Sequence, residues 1–331
     1  MSLAKQSLGT GGEVVAGMAL AGEFIGTSMV LLYTVWDLLA RLLKSDFAPV
    51  TATTAVLLLP FLWHSHWSNL AYINAFALFA TVLAIVVMMY SILENPQHAA
   101  DNVTESWFTH IPPVSKLVFA TGLQMVALGS GTPTIPSILS QTANPRMFNM
   151  GVILPSMISV AIFSFVVAMS GILAYGANTE FLLTDNLISD GNFGIIVSAM
   201  IVFATFATIP PVLAMTADPF VVIYDKLTQS EVFIRTKVKN VGFRKHRLAS
   251  RTLRYMVFGM ITVSSYFLRN NMGLVLEVTG LVCMSMTALV LPLVMSLIVF
   301  WDQDTLLKKV LSMAIISTSV MTTVVYFCTL D

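Results

Sequence analysis

The stretch VILPSMISVAIFSFVVAMSGILAY, residues 152–175, contains no charged side chain. It is long enough to cross a bilayer as one helix, because about 20 apolar residues at about 1.5 Å each span the hydrocarbon. The rest of the chain has the same character: its 331 residues are 56% hydrophobic and 10% charged, with a mean hydropathy of +0.83. Soluble domains carry about 25% charged residues, so this composition excludes a water-soluble enzyme and a disordered chain. We predict an all-α integral membrane protein.

The same length rule predicts nine membrane-spanning helices in a single transmembrane domain, residues 1–331. Seven of them are long enough to cross by themselves. The other two, residues 48–63 and 253–268, are short and are included because the loop charges must alternate across the membrane. The predicted spans are residues 14–36, 48–63, 70–93, 114–142, 152–175, 193–217, 253–268, 272–301 and 310–330.

Lys and Arg orient these spans, because they accumulate in the short loops on the cytoplasmic side. Residues 226–252 are rich in both and contain a single acid, Glu231, which predicts a cytoplasmic basic loop. A nucleic-acid or lipid-headgroup site is the alternative interpretation; we favour an orienting role and predict no nucleic-acid partner. Counting outward from this loop places Asn102, in the sequon Asn-Val-Thr, on the external side as a candidate glycosylation site.

One predicted span contains a concentration of helix breakers at residues 127–136, ALGSGTPTIP. Glycine favours a helix end, and Thr132 followed by Pro133 favours a new helix start. Counted from Lys116, this break lies about 20 Å into the membrane, close to its middle. The carbonyls and amides of two half-helix ends suit the ammonium and carboxylate of a zwitterion. The alternative is a helix that is only kinked. The candidate substrate-binding residues are Ala127, Leu128, Gly129, Ser130, Gly131 and Thr132.

Three polar residues within the spans are candidates for binding a coupling ion, H⁺ or Na⁺. Glu23 lies ten residues into its span, where an ionised carboxylate is costly, so it could carry a proton or be a structural, protonated acid bonded to a neighbouring helix. Thr205 and Thr208 share one helix face and could offer oxygens to sodium, or could simply form hydrogen bonds between helices.

The sequence gives only weak evidence for a metal site or a catalytic site. His64 and His66 lie between Trp63 and Trp67, which suggests an aromatic interface belt rather than a metal site, because two ligands are too few for a metal. The sequence has no G-x-S-x-G, no P-loop and no paired carboxylates within a span. We therefore predict that the protein is not an enzyme, with no cofactor and no metal.

These residues also resemble a known family, the amino acid/auxin permeases. The glycine-rich break, followed by T-I-P and N-P-R-M-F, is similar to the family's sixth helix and the loop after it. Further similar segments follow in the family's order and cover most of the chain: residues 171–176, 185–187, 209–211, 218–220, Gly280 and 291–292.

The resemblance implies an amino-acid transporter with two inverted repeats of five helices and an extra helix at the end. The nine spans would be the family's third to eleventh, so the chain is expected to be N-terminally incomplete, which could affect activity. The implied function is secondary active transport of amino acids by alternating access, coupled to protons or sodium, in a plasma or a vacuolar or endolysosomal membrane. The alternatives are a non-transporting regulatory or sensor protein derived from such a permease and, less favoured, a channel or a membrane enzyme. The preferred amino acids and the oligomeric state do not follow from the sequence.

Overall fold

A computed structural model describes most of the chain. The residues that it describes are 2–62, 67–94, 144–175, 186, 192–232 and 241–328. They form eight long helices, and no strand occurs among them. The predicted all-α class is therefore confirmed for this part of the chain. The helices are α1 (Ser2–Leu43), α2 (Phe47–Leu62), α3 (Trp67–Glu94), α4 (Pro145–Tyr175), α5 (Asn192–Val232), α6 (Val241–Phe267), α7 (Met272–Phe300) and α8 (Leu306–Cys328).

Five helical segments are long and apolar enough to cross a membrane. They coincide with five of the predicted spans: Gly11–Leu43, Met150–Gly171, Phe193–Leu213, Arg269–Phe300 and Leu306–Cys328. The apolar helices Phe47–Phe61 and Ala75–Tyr90 are shorter and match two more. These segments support an integral membrane protein, whereas nine crossings and the inverted repeat stay predictions.

Of the two remaining predicted spans, 253–268 and 114–142, the structure describes only the first. Residues 253–267 form the second half of α6, whose first half carries many of the basic residues of segment 226–252. The span predicted at 114–142 lies outside the described residues. Part of the basic segment is helical, since α5 continues to Val232 and α6 begins at Val241.

The chain divides into two compact units, and α1 contributes residues to both. The first unit comprises Met1–Thr27, Thr104–Met169 and Gly273–Asp331, and the second comprises Ser28–Val103 and Ser170–Met272. In the second unit α3 packs on α5 through small side chains, with Ala77, Ala204 and Ala207 buried together. Small residues let two helices approach closely, which favours packing inside a membrane.

In the first unit, α7 is not a regular α-helix. Its central part, Thr279–Val290, has π-helical hydrogen bonding, between α-helical ends Met272–Val278 and Leu291–Phe300. This part packs on α8, where Leu281 and Tyr326 are buried against each other. π-Helical turns are rare, and they occur frequently at functional sites.

The turn between α1 and α2 belongs to the second unit and closes α1 with a Schellman motif. The amide of Ser45 donates to the carbonyl of Ala40 at 3.0 Å, and that of Lys44 to Arg41 at 3.2 Å. Lys44 has a φ of 48°, in the left-handed region that glycine usually occupies at this position. Backbone strain is therefore stored at Lys44.

Candidate functional site

The predicted substrate-binding residues 127–132 lie outside the described residues, as do Asn102, His64 and His66. The structure therefore tests neither the break nor the glycosylation site. Among the predicted site residues it describes Glu23, Thr205 and Thr208.

Glu23 is the most unusual of these, because its side chain is fully buried within a membrane-spanning segment of α1. The hydroxyl of Thr287, in the π-helical part of α7, donates a hydrogen bond to Glu23 Oε2. The other oxygen, Oε1, is buried and has no hydrogen-bond partner among the described residues. Glu23 is thus hydrogen-bonded to α7 through one oxygen, and its roles as proton carrier or as structural acid both stay predictions.

Two glycines beside Glu23 allow α1 and α7 to come this close. A Cβ atom on Gly22 would lie 2.8 Å from Cys283 Sγ, and one on Gly26 would lie 2.8 Å from Thr279 Cγ2 and overlap its hydroxyl oxygen. The two glycines are four residues apart and form a G-x-x-x-G pattern around Glu23, a sequence signal of close helix packing in membranes. Reading that pattern would have predicted a partner helix for the Glu23 face.

Hydroxyl groups satisfy several carbonyls along the irregular part of α7. Thr279 donates to the Val275 carbonyl at 2.6 Å, and both Ser285 of α7 and Thr323 of α8 donate to the Leu281 carbonyl, Thr323 at 3.0 Å. Carbonyls that leave the regular helical pattern inside a membrane need such partners. The hydroxyls supply such partners to the carbonyls of Val275 and Leu281.

Thr27 lies on the same side of α1 as Glu23, one helical turn further along. Its hydroxyl oxygen is buried and has no hydrogen-bond partner among the described residues. Sequence reasoning missed Thr27 and Thr287. A threonine in an apolar span is common, and only the bond of Thr287 to Glu23 and the buried hydroxyl of Thr27 distinguish these two from the others.

Thr205 is half-buried and lies with Thr208 on α5, in the second unit. Thr208 is exposed, and its hydroxyl donates to the carbonyl of Ala204 in its own helix at 2.8 Å. A buried polar contact of this unit joins the hydroxyls of Ser28 and Thr216, 3.0 Å apart, between α1 and α5. No group of three or more His, Cys, Asp or Glu side chains suited to a metal occurs in the described ranges.

An apolar cavity of about 260 Å³ lies in the second unit, lined by residues of α2, α3 and α5. Its lining consists of Phe61, Phe76, Phe203, Phe206, Ala207 and Pro210. Because these side chains offer no polar group, the cavity has nothing to orient the charged ends of a zwitterion.

Basic and aromatic side chains meet at helix ends, as interface anchors do in membrane proteins. Lys309 Nζ lies 4.5 Å from the centre of the Trp301 ring in the first unit. In the second unit, the Arg269 guanidinium lies 5.4 Å from the Phe47 ring and 5.3 Å from the Tyr266 ring. The alternation of loop charges predicts that the turns at Phe47 and at Arg269 lie on the same side of the membrane.

Long apolar helices with a buried carboxylate and exposed apolar surfaces define a polytopic membrane protein. The model of the family described as transmembrane amino acid transporter protein matches residues 1–330. The chain belongs to this family, which is consistent with the resemblance to amino acid permeases and with general amino-acid transport across a membrane. No curated protein and no solved structure matches the chain.

Proposed function

We propose that the protein is a secondary active amino-acid transporter that works by alternating access. The single observation that carries the proposal is the family match over residues 1–330. The apolar helices and their exposed faces are what such a carrier needs in order to sit in lipid.

The coupling ion is proposed to be a proton bound by Glu23. Burying an acid in a membrane costs much free energy when the acid is ionised and little when it is protonated. Such an acid can therefore bind a proton on one side of the membrane and release it on the other, as the proton gradient directs. Its complete burial and its bond to Thr287 support this role. The second candidate is a sodium ion bound by Thr205 and Thr208. It is less favoured, because the Thr208 hydroxyl already forms a hydrogen bond within its own helix.

The substrate is proposed to bind at residues 127–132, where two half-helix ends would divide the charges of an amino acid between them. The sequence pattern of that segment is the support for this step. A membrane with a proton gradient, either the plasma membrane or a vacuolar or endolysosomal one, would be its location.

Uptake of a panel of radiolabelled amino acids into proteoliposomes tests the proposal. We expect uptake of at least one amino acid, stimulated when the outside is made acidic relative to the lumen. Empty liposomes and liposomes treated with a protonophore serve as controls. If no member of the panel enters, transport by this chain is refuted, and the regulatory or sensor alternative takes its place.

Sodium coupling would give a different result in the same vesicles. Flux that requires a sodium gradient and ignores the protonophore would contradict the role of Glu23 as proton carrier. Replacing sodium by choline on both sides separates the two cases.

A further inference from the structure

Arg269 lies in the short turn between α6 and α7, at the start of a membrane-spanning segment. Its side chain is exposed, and its guanidinium lies 5.3 Å from the centre of the Tyr266 ring and 5.4 Å from that of the Phe47 ring. The centres of these two rings are 6.1 Å apart. One guanidinium is therefore in contact with aromatic rings from two helices, α6 and α2, within the second unit.

The Phe47 ring is in turn supported by α1. It meets the buried Trp36 ring edge to face, with ring centres 5.9 Å apart, and the Tyr33 ring at 6.2 Å. Aromatic pairs at such distances attract each other in addition to the effect of their burial. Arg269 thus rests on an aromatic cluster that joins α1, α2 and α6, and the cluster limits the positions that its guanidinium can take.

No carboxylate neutralises Arg269 in the part of the chain that the structure describes. Its side chain forms no ion pair and no hydrogen bond there, and its contacts are the two rings. Lys44 and Asp46, in the neighbouring turn, carry opposite charges, and Arg41 is already paired with Asp37 at 3.0 Å. Because Arg269 lies against ring faces, its N–H groups stay available to an anion.

Apolar surface lies directly beside this cation. Phe267 and Leu268, the two residues before Arg269, are 77% and 39% exposed. In a membrane protein such side chains face lipid hydrocarbon, and a basic residue at the end of a span lies at the level of the headgroups. A ligand that fits both features has an anionic group and an apolar chain.

We propose that Arg269 is a binding site for the phosphate group of an anionic phospholipid, whose acyl chains cover Phe267. A planar guanidinium donates two parallel hydrogen bonds to phosphate oxygens. The rings of Phe47 and Tyr266 hold the guanidinium for this contact, so little side-chain freedom is lost when the lipid binds. Free phosphate has the same anionic group, but it leaves the apolar surface uncovered.

Binding of purified, delipidated protein to defined lipids in detergent tests the site without transport. Native mass spectrometry gives the dissociation constant of the first bound molecule of dioleoylphosphatidylglycerol. We expect Arg269→Gln to bind this lipid about tenfold more weakly than the wild type, because a charge-assisted hydrogen bond is lost. The lipid should also raise the Tm of the wild type more than that of Arg269→Gln, because it binds the folded state.

Three matched variants separate this site from general attraction between charges. Arg269→Lys keeps the charge and lacks the planar fork, so it should bind nearly as weakly as Arg269→Gln. Phe47→Leu removes one ring and should weaken binding by about threefold. Lys309→Gln removes another cation that contacts a ring, that of Trp301 in the first unit, and should keep the wild-type dissociation constant. Arg269 is exposed, so its substitutions remove no buried packing.

Inorganic phosphate and dioleoylphosphatidylcholine, each at the same concentration, identify the source of the anion. Phosphate should neither raise the Tm nor displace the anionic lipid. Phosphatidylcholine should bind more weakly, because its choline group brings a positive charge close to Arg269.

Three results would overturn the proposal. Equal binding by the wild type and Arg269→Gln would make Arg269 an interface anchor without a ligand. An equal loss in Lys309→Gln would indicate general attraction between charges, and a rise in Tm with inorganic phosphate that Arg269→Gln abolishes would indicate a site for the free anion. Because the lipid measurements need no uptake, their failure leaves the proposed function intact.

Discussion

Replacing Gly26 by alanine tests the contact that creates the Glu23 site. The new Cβ would lie 2.8 Å from Thr279 Cγ2 and 2.9 Å from Thr279 Cβ. Carbon atoms in good contact are about 3.5–4.0 Å apart, so α1 and α7 would have to separate by roughly 1 Å. We expect Gly26→Ala to destabilise the protein and to weaken the bond between Thr287 and Glu23.

The magnitude follows from two opposing effects. Overpacking a close contact costs about 1–3 kcal/mol, and replacing glycine by alanine inside a helix gains about 1 kcal/mol. The net loss is therefore about 1 kcal/mol. Gly259, in α6, has open space where its Cβ would be, so Gly259→Ala should gain about 1 kcal/mol instead.

Thermal unfolding of the two variants in the same detergent, followed by intrinsic fluorescence, measures this difference. About 2 kcal/mol between them corresponds to a separation of about 3 °C in Tm, with the wild type in between. Adding Thr279→Ala to Gly26→Ala removes the two outer atoms of the clash and should recover part of the loss. A Gly26→Ala protein that unfolds at or above the wild-type Tm would refute the close approach of α1 and α7.

Four further substitutions test other parts of the account. Lys44→Gly should raise the free energy of unfolding by about 1 kcal/mol in chemical denaturation, because glycine adopts the φ of 48° without strain; a loss would contradict the Schellman turn. Gly129→Val and Thr132→Val should each abolish amino-acid uptake at unchanged membrane abundance, and full uptake in both would mean that the predicted break is only a kink. Lys308→Ala removes an ion pair at 2.6 Å with Asp304, whose side chain is only 9% exposed, and should cost about 1 kcal/mol or more because it leaves a nearly buried carboxylate without its basic partner; an unchanged Tm in thermal unfolding would show that the pair is only a surface contact.

The membrane-spanning character of the fold could be predicted from composition and length, because hydrocarbon allows few structures other than long apolar helices. Residues 193–213 and 306–328 lie in such helices close to the predicted bounds. The ends were less predictable, since α5 continues to Val232 through a segment rich in charge. Charged residues indicate where a chain leaves the membrane. They do not indicate whether the helix also ends at that point.

Glu23 could be selected as a candidate from the sequence, although its role stays a prediction. Glu23 was predicted as a functional residue because an acid in an apolar span is costly, and the structure places it fully buried. Its partner Thr287 is 264 positions away and lies in a π-helical segment. Periodicity rules assume regular helices, so they give no indication of which face Thr279–Val290 turns towards α1.

Proton movement that accompanies amino-acid uptake is the most direct test of the central claim, that Glu23 couples the two. Proteoliposomes loaded with a pH-sensitive dye should acidify inside when a transported amino acid is added outside, in proportion to its uptake. In Glu23→Gln vesicles the same amino acid should cause no acidification. Equal acidification by wild type and Glu23→Gln, or wild-type uptake with no acidification, would contradict the account.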